Sequence, residues 1–581
     1  MSSEEAKKGP FKGGDLLIKV LLNENVKYMF GLPGGQFLPM YDALVRWGCE
    51  AGIKTINVRH EQAGAHMADA YARVSGQVGV CFGTVGPGAT HMIPGVATAW
   101  ADNIPMLVIS PQVSWKMTDK STLQGDLDQI AMYKPITKFT KQIQRAAEIV
   151  PGVQRAFRAL QADCPGPVFL EISEDAMFED VAAGVDLILP SPVNYRLSNR
   201  GHSAGDPSLI KLAAEVLKKA QKPLIIAGGG FVNSNAFDTL KSFAATYKIP
   251  VATTRMGMGA LSTGDPEYIG ATLGNPGVMK ATRECDVILA LGCKFSYAMG
   301  FGEPPVWNPN AKLIHVDINP MIIGRNRPIA VGIVGDAGLV LQQIANELSL
   351  QGGMSGITPD WLSSLRTQLD LAKTAVKVKA TSDKVPIWPQ RLVHDILEEL
   401  APDDVLVLDG GDIAVFAMEQ IDHFGPRRPR RTLGSSCMGH LGTGIPYCIG
   451  ARLALQNLDS KVVGIVGDGS FWFNIQDLET AVRLKTPFVI AIANDSAWGM
   501  IKSGQQMFFK KRFIDVDLPE EIDYVGIVKA FGCYGEKVTD PAEIKPAFHR
   551  ALASEKPAVI DVRINRAIPD GTKILGAMGC L

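Results

Sequence analysis

At 581 residues the chain exceeds what one hydrophobic core serves, and three domains is the natural division. Charged residues make up 20% of it, and 58 basic against 59 acidic side chains leave a net charge of −1, which excludes the basic footprint of a nucleic-acid binder. No apolar stretch reaches the length of a membrane span, the start Met1-Ser2-Ser3-Glu4-Glu5 lacks the apolar core of a secretory signal, and the nine cysteines are scattered without a Cys-x-x-Cys pair. Together these predict a cytoplasmic enzyme with reduced thiols and no zinc centre, with neither nucleic acid nor membrane as partner. The one dense basic cluster, Arg427-Arg428-Pro429-Arg430-Arg431, reads as a solvated loop, with an anionic ligand or a subunit contact as the sharper alternative.

In chain order, short apolar runs alternate with helical patterns. Strands are predicted over 54–58, 78–82, 106–110, 168–172, 224–227, 287–291, 313–318, 405–408, 462–466, 488–493 and 558–562. Such alternation places the chain in the α/β class, with parallel sheets flanked by helices on both faces. Composition shifts over 184–207 and 350–387 separate three α/β domains, spanning 1–185, 205–350 and 386–564. Residues 565–581 remain as a tail that either frays or acts as a lid.

The chemistry-bearing residues gather where strands end. Glu61 follows the first predicted strand in Arg59-His60-Glu61, where a carboxylate either caps the next helix or serves a ligand. Ala63, Gly64 and Ala65 permit close packing behind it. In the last domain a strand runs into Asp409-Gly410-Gly411, and Gly434 to Gly444 is a run of small residues leading into a helix. The apolar run 461–466 then meets Gly467-Asp468-Gly469. After 24 further residues, holding a predicted helix over 475–484, a second strand ends at Asn494-Asp495. Two parallel strands thus bring Asp468 and Asp495 to one carboxyl edge, where open α/β sheets bind ligands. The glycines let backbone N–H groups approach a phosphate, and the paired acids suit a hard cation such as Mg²⁺ bridging to it.

This diphosphate-and-metal pattern resembles that of thiamine-diphosphate (ThDP) enzymes. Phe30 to Gly35, the Glu61 segment, Gly83-Thr84-Val85-Gly86-Pro87-Gly88 and Ile314 to Pro320 extend the resemblance over nearly the whole chain, to the acetolactate synthase, benzaldehyde lyase and 2-hydroxyacyl-CoA lyase group. The resemblance implies a ThDP-binding fold with pyrimidine-binding, central and diphosphate-binding domains, and ThDP and Mg²⁺ as cofactors. It implies that Glu61 bonds the aminopyrimidine and promotes the imino tautomer that deprotonates the thiazolium. Asp468, Asp495 and the Ala497 carbonyl would ligate the metal. Gly410, Gly411, Gly469, Ser470 and Asn494 would lie along the cofactor, with the Gly439 carbonyl on its amino group and Leu441 between its two rings. The active sites would lie at the subunit interfaces of a homodimer or homotetramer.

For the substrate, the resemblance places Gln36 and Gln124 near the reacting carbon and Leu127, Trp498 and Met500 on the pocket wall. Within the group it is most like bacterial 2-hydroxyacyl-CoA lyases. That implies reversible cleavage of a 2-hydroxyacyl-CoA to formyl-CoA and an aldehyde or ketone, with Arg255, Lys294, Arg325 and Arg327 as candidates for the CoA phosphates and the tail closing over the pantetheine. The alternatives are a 2-keto acid decarboxylase or acetolactate-forming carboligase, a flavin-linked 2-keto acid oxidase, and a non-catalytic ThDP-fold subunit. No adjacent histidine pair of the pyruvate decarboxylase type occurs, and the segment Met500 to Lys510 departs from acetolactate synthases.

Overall fold

The computed structural model describes residues 10–181, 189–197, 203–271, 273–425, 427–455 and 459–579. The linker residues Asn199 to His202 and the last two residues of the tail, Cys580 and Leu581, lie outside the described residues. Three six-stranded sheets organise the chain. The first comprises β1 (Tyr28–Gly31), β2 (Lys54–Asn57), β3 (Gly79–Phe82), β4 (Met106–Gln112), β5 (Phe139–Ile143) and β6 (Val168–Ser173), in the order β2-β1-β3-β4-β6-β5. The second comprises β7 (Pro223–Ala227), β8 (Val251–Thr253), β9 (Tyr268–Gly270), β10 (Val287–Leu291), β11 (Lys312–Asp317) and β12 (Val331–Val334), in the order β12-β11-β10-β7-β8-β9. The third comprises β13 (Val405–Asp409), β14 (Thr432–Leu433), β15 (Val462–Gly467), β16 (Phe488–Asn494), β17 (Tyr534–Val538) and β18 (Pro557–Arg563), in the order β14-β13-β15-β16-β18-β17.

Every pairing between these strands is parallel. Parallel strands need crossover helices, and helices on both faces bury the sheet, so the central strands are apolar without alternation. All of β7, β10 and β16 is buried. The three α/β domains read from the sequence are present as these three sheets. The short strands β1, β8, β9, β12 and β14 and the edge strands β5 and β17 were not predicted. The two edge strands have one flank open to water and mix buried with exposed positions, so they lack the continuous apolar signature. The helix expected over 475–484 also differs. One α-turn at Asp468–Phe471 and a 3₁₀ segment at Trp472–Asp477, broken at Asn474, precede the helix Leu478–Leu484.

The described residues pack as two compact units. The first takes those within 1–201, 438–456 and 474–486, and the second those within 202–437, 457–473 and 487–581. In the first unit the helix Glu61–Ser75 lies against the helix Gly444–Ala454. A Cβ on Gly450 would stand 2.3 Å from the Met67 carbonyl oxygen, so only glycine permits this approach. The same seam holds a buried ionic network. The Arg73 guanidinium meets Asp69 at 2.9 Å and Asp102 at 3.0 Å, and the Tyr447 hydroxyl donates to Asp69. Burial raises the Asp69 pKa, and the Arg73 charge opposes that shift.

In the second unit Asp422, fully buried, accepts from the Tyr268 hydroxyl at 2.8 Å, the Ala271 N–H at 2.9 Å and the Asn275 amide at 3.1 Å, tying the second domain to the third. The tail is docked rather than frayed. Its helix Asp570–Ala577 is anchored by Gly571 N–H on Glu419 at 2.6 Å and the Thr572 hydroxyl on Asp412 at 2.8 Å. The basic cluster is not the uniform solvated loop that was expected. Arg427 is buried and donates to the Leu400 carbonyl at 3.0 Å, while Arg428 stays exposed near Asp403. No helix among the described residues is long and apolar enough to cross a membrane.

The helix seam yields a direct test. Gly450→Ala forces a methyl onto a backbone carbonyl and should cost about 1–3 kcal/mol, lowering the thermal midpoint. Gly504→Ala, at a half-buried helix position with nothing within 4 Å of the added carbon, should be neutral or mildly stabilising. Equal midpoints for both variants in a thermal scan would show that the seam is not closely packed.

Candidate active site

In the third domain the candidate site residues sit on the turns that follow β13, β15 and β16. The strand order reverses between β13 and β15, which opens the crevice that parallel sheets use for ligands. Gly410, at φ +117°, and Gly467 face each other there, a Cβ on the former standing 3.1 Å from the latter's nitrogen. Gly469 lies beneath Trp498, whose ring would be 2.7 Å from an added Cβ, and Gly411 lies as closely beneath Met500. Trp498 and Met500 therefore cover these glycine turns. The Ser470 hydroxyl turns back to the Gly467 carbonyl at 3.0 Å.

Asp468 is almost fully buried. Its Oδ1 accepts the Gly469 N–H at 2.8 Å, while its Oδ2 is buried with no hydrogen-bond partner. Burial and then the charge of Asp495 push its carboxyl up to about 7, against the N–H groups of Gly469, Ser496 and Ala497. Asp495 is raised by burial too, and Arg566, 3.5 Å away, opposes this. A buried acid with an orphaned oxygen, repelled by a second, partly buried acid beside it, is what a divalent cation would satisfy. Asp468, Asp495 and the buried Ala497 backbone are thus a donor set that fits Mg²⁺. Asn494 spends its amide within the protein. It donates to Asp561 at 2.8 Å and accepts from Ser496 N–H at 3.2 Å and Arg563 at 3.1 Å, which fixes the turn presenting Asp495.

In the first unit, Gln36, Glu61 and Gln124 converge on one turn, Gly83–Gly88. The Thr84 hydroxyl donates to the Gln36 side chain at 2.9 Å. A Cβ on Gly88 would stand 3.3 Å from Glu61 Oε1, and one on Gly86 would stand 2.7 Å from the Gln124 carbonyl oxygen. Glu61 opens its helix behind His60, whose ring accepts the Gln62 N–H, and Asp477 holds the Arg59 N–H at 3.0 Å. Gln124 has φ +65°, and Asp119, Ser121 and Asp126 nearby also have positive φ. Left-handed non-glycine residues cost free energy and cluster where a loop is held for function. Gln129 secures that loop, accepting the Gly86 N–H at 3.2 Å and donating to the buried Glu171 at 2.7 Å.

Gly439, at φ +63°, and Leu441 flank His440, which donates from Nδ1 to the Leu441 carbonyl at 2.6 Å and meets the His66 ring of the Glu61 helix at 4.7 Å, tilted by 59°. Leu127 is 41% exposed. Arg255 reaches the Tyr297 hydroxyl at 3.4 Å, and Arg327 is spent on the carbonyls of Gly302, Asn308 and Ala311. The sequence reading missed three residues. His91 bonds Glu61 at 3.0 Å, and Asp412 and Glu419 anchor the tail, pushed up by burial to about 6 and about 7. Only the acid in Gly411-Asp412 followed a glycine turn that the sequence had already singled out.

Three family models match the chain: the N-terminal TPP-binding domain of thiamine pyrophosphate enzymes over residues 11–132, their central domain over 210–344 and their C-terminal TPP-binding domain over 409–562. Among curated proteins, the probable acetolactate synthase large subunit of Methanocaldococcus jannaschii is 34% identical, covering 97% of this chain and 94% of its own length. The acetolactate synthase large subunit of Parasynechococcus marenigrum is 34% identical over 95% of this chain and 88% of its own, and the isozyme 3 large subunit of Escherichia coli is 31% identical over 93% and 92%.

Asp468 must be ionised to ligate a cation, and without one its carboxyl sits at about 7. Mg²⁺-supported ThDP binding should therefore tighten as pH rises from about 6 to about 8 and then level off. Asp468→Asn should weaken it by at least the roughly 10–100-fold that losing an outer-shell partner costs a metal site, and should flatten the pH dependence. Fluorescence titration of cofactor-free protein with and without Mg²⁺ measures both; affinity indifferent to Mg²⁺ at every pH would remove the metal bridge.

Proposed function

We propose a ThDP- and Mg²⁺-dependent carboligase acting on 2-keto acids, the premise being that this chain belongs to the thiamine pyrophosphate enzymes, in the group of acetolactate synthase large subunits. One 2-keto acid loses CO₂ and the acyl unit left behind joins the carbonyl carbon of a second, so that two pyruvates give acetolactate and CO₂. The observation that carries the reading is the convergence of Gln36, Glu61 and Gln124 on the Gly83–Gly88 turn, in a chain whose relatives along nearly its full length bear the acetolactate synthase name. Those names favour the carboligase over cleavage of 2-hydroxyacyl-CoA. The basic residues considered for CoA lend the lyase little support, since Arg327 is consumed by backbone carbonyls.

When bound, the cofactor supplies the nucleophilic carbanion and the electron sink for decarboxylation. Glu61, buried at its helix start, would hold and return a proton at its carboxylate. The amides of Gln36 and Gln124 would orient the substrate's carboxylate and carbonyl. Gly410, Gly411, Gly469 and Ser470 would offer backbone and hydroxyl groups to the diphosphate, with the metal held by Asp468, Asp495 and the Ala497 carbonyl. Gly439 and Leu441 would seat the pyrimidine side. Trp498 and Met500 would exclude water above the glycine turns, with the docked tail helix as a cover, and Leu127 in the first unit would contact the substrate. The relatives are named as large subunits, which supports a working form of at least two chains.

Product analysis after incubation with ThDP, Mg²⁺, pyruvate and other 2-keto acids, alongside a panel of 2-hydroxyacyl-CoAs, tests the reading. Acetolactate or a related 2-hydroxy-2-alkyl-3-keto acid is expected. Formyl-CoA from the acyl-CoA panel with no carboligation product would reinstate the lyase. Glu61→Gln should retain ThDP affinity while losing about 10²–10⁴-fold in turnover; near-native turnover at saturating ThDP would take Glu61 out of the mechanism.

A further inference from the structure

Glu61 is paired with a residue that the reading above leaves idle. His91, on the helix Pro87–Asp102, places Nδ1 3.0 Å from Glu61 Oε2. The Glu61 side chain is 9% exposed, and the His91 side chain is 44% exposed. The other carboxylate oxygen, Oε1, lies beside Gly88 at the start of that helix, 3.3 Å from where a side chain would begin. Glu61 is thus enclosed, and the ring bonded to one of its oxygens extends to water.

His60 completes the arrangement. Its ring stacks on His91 at 4.4 Å and 27°, while its Nδ1 accepts the Gln62 N–H, which leaves its own proton on Nε2. Burial, and then the charge of His91, hold the His60 pKa below its ordinary value. A neutral ring flat against His91 limits how that imidazole can turn and keeps Nδ1 on Glu61. The three side chains are close enough to share a metal ion. However, His60 spends Nδ1 as a helix cap, and flat stacking does not aim two rings at one centre.

We propose that His91 is a positioning residue that both holds the Glu61 carboxylate and carries protons between it and solvent. The inference rests on the role given to Glu61 above. A carboxyl proton on Oε2 passes to His91 Nδ1 while the Nε2 proton leaves to water. That forms the Glu61 carboxylate and the opposite neutral tautomer of the ring, and breaks one O–H and one N–H bond for the N–H and hydronium O–H bonds formed. The reverse passage restores the acid. An imidazole can do this because its two nitrogens serve as acceptor and donor at once.

The test follows hydrogen–deuterium exchange at the cofactor's C2 in the ThDP- and Mg²⁺-loaded enzyme, together with the circular-dichroism band of the imino tautomer and the ThDP dissociation constant. His91→Asn keeps a hydrogen-bond donor without a relay, His91→Phe keeps the stack on His60, and His91→Ala leaves space for added imidazole. All three should slow exchange at least about tenfold, less than the roughly 10²–10⁴-fold of a general acid–base acting on the reacting atoms, with ThDP affinity changed less than about twofold. Imidazole should restore exchange in His91→Ala and not in His91→Phe. Exchange at the native rate in His91→Asn and His91→Phe would overturn the proposal, as would slowed exchange in a folded His91→Ala protein that imidazole leaves unchanged. Native exchange in Glu61→Gln would instead refute the role of Glu61 and is read separately.

Discussion

The seam between the helices Glu61–Ser75 and Gly444–Ala454 is the constraint on which the first unit depends. Gly450 gives the approach, and the Asp69–Arg73–Asp102 network with Tyr447 fixes how one helix is turned against the other. Buried ion pairs contribute little net stability but break badly when one partner is lost, so they specify a geometry more than they strengthen it. Here the specified geometry bears on the candidate site. Glu61 begins one of the two helices, and the Gly439–Leu441 segment leads into the other, so rotating the seam would displace both. The His66–His440 ring contact at 4.7 Å makes the same connection nearer the site.

The second unit accepts an electrostatic cost at its strand ends. Asp468, Asp495 and Asp412 there, and Glu419 on the helix Asp412–Ile421, are carboxyls raised by burial, and among the described residues the free oxygen of Asp468 has no hydrogen-bond partner. Such a gathering destabilises a folded chain unless something positive completes it. The cost recurs where the strand order reverses and glycines bare the backbone, which is the usual position of a phosphate and its metal in open α/β sheets.

Much of this was legible in the sequence because parallel sheets write themselves as uninterrupted apolar runs that end in glycine and acid. Strands β10, β15 and β16 and the acids Asp468 and Asp495 were readable for that reason. Edge strands β5 and β17 were not, since half-exposed positions dilute the pattern, and no local periodicity records the kink at Asn474. At the site, residues inside a strand-to-helix turn could be found, but His91 stands four residues into the helix Pro87–Asp102 and faces Glu61 only through the fold. The substrate was read least well. The loop residue proposed to meet it, Gln124, has a left-handed backbone that no local periodicity records, and the resemblance to acyl-CoA lyases gave way to relatives named acetolactate synthase.

The tail links the strand-end acids to the site's cover. Asp412 accepts from Thr572 of the tail and from Ser503 of the helix Gly499–Phe508, each at 2.8 Å, and the two hydroxyls hold down a carboxyl that burial and Asp495 both disfavour in its charged form. A cation that neutralised Asp495 would remove the repulsion Asp412 feels. The ionised Asp412 would then accept both hydroxyls more strongly, since bonds to a charged acceptor are about twice as strong as neutral ones. One carboxylate thus ties both the tail helix and the helix Gly499–Phe508, which carries Met500 above Gly411, to the charge of the neighbouring acid Asp495.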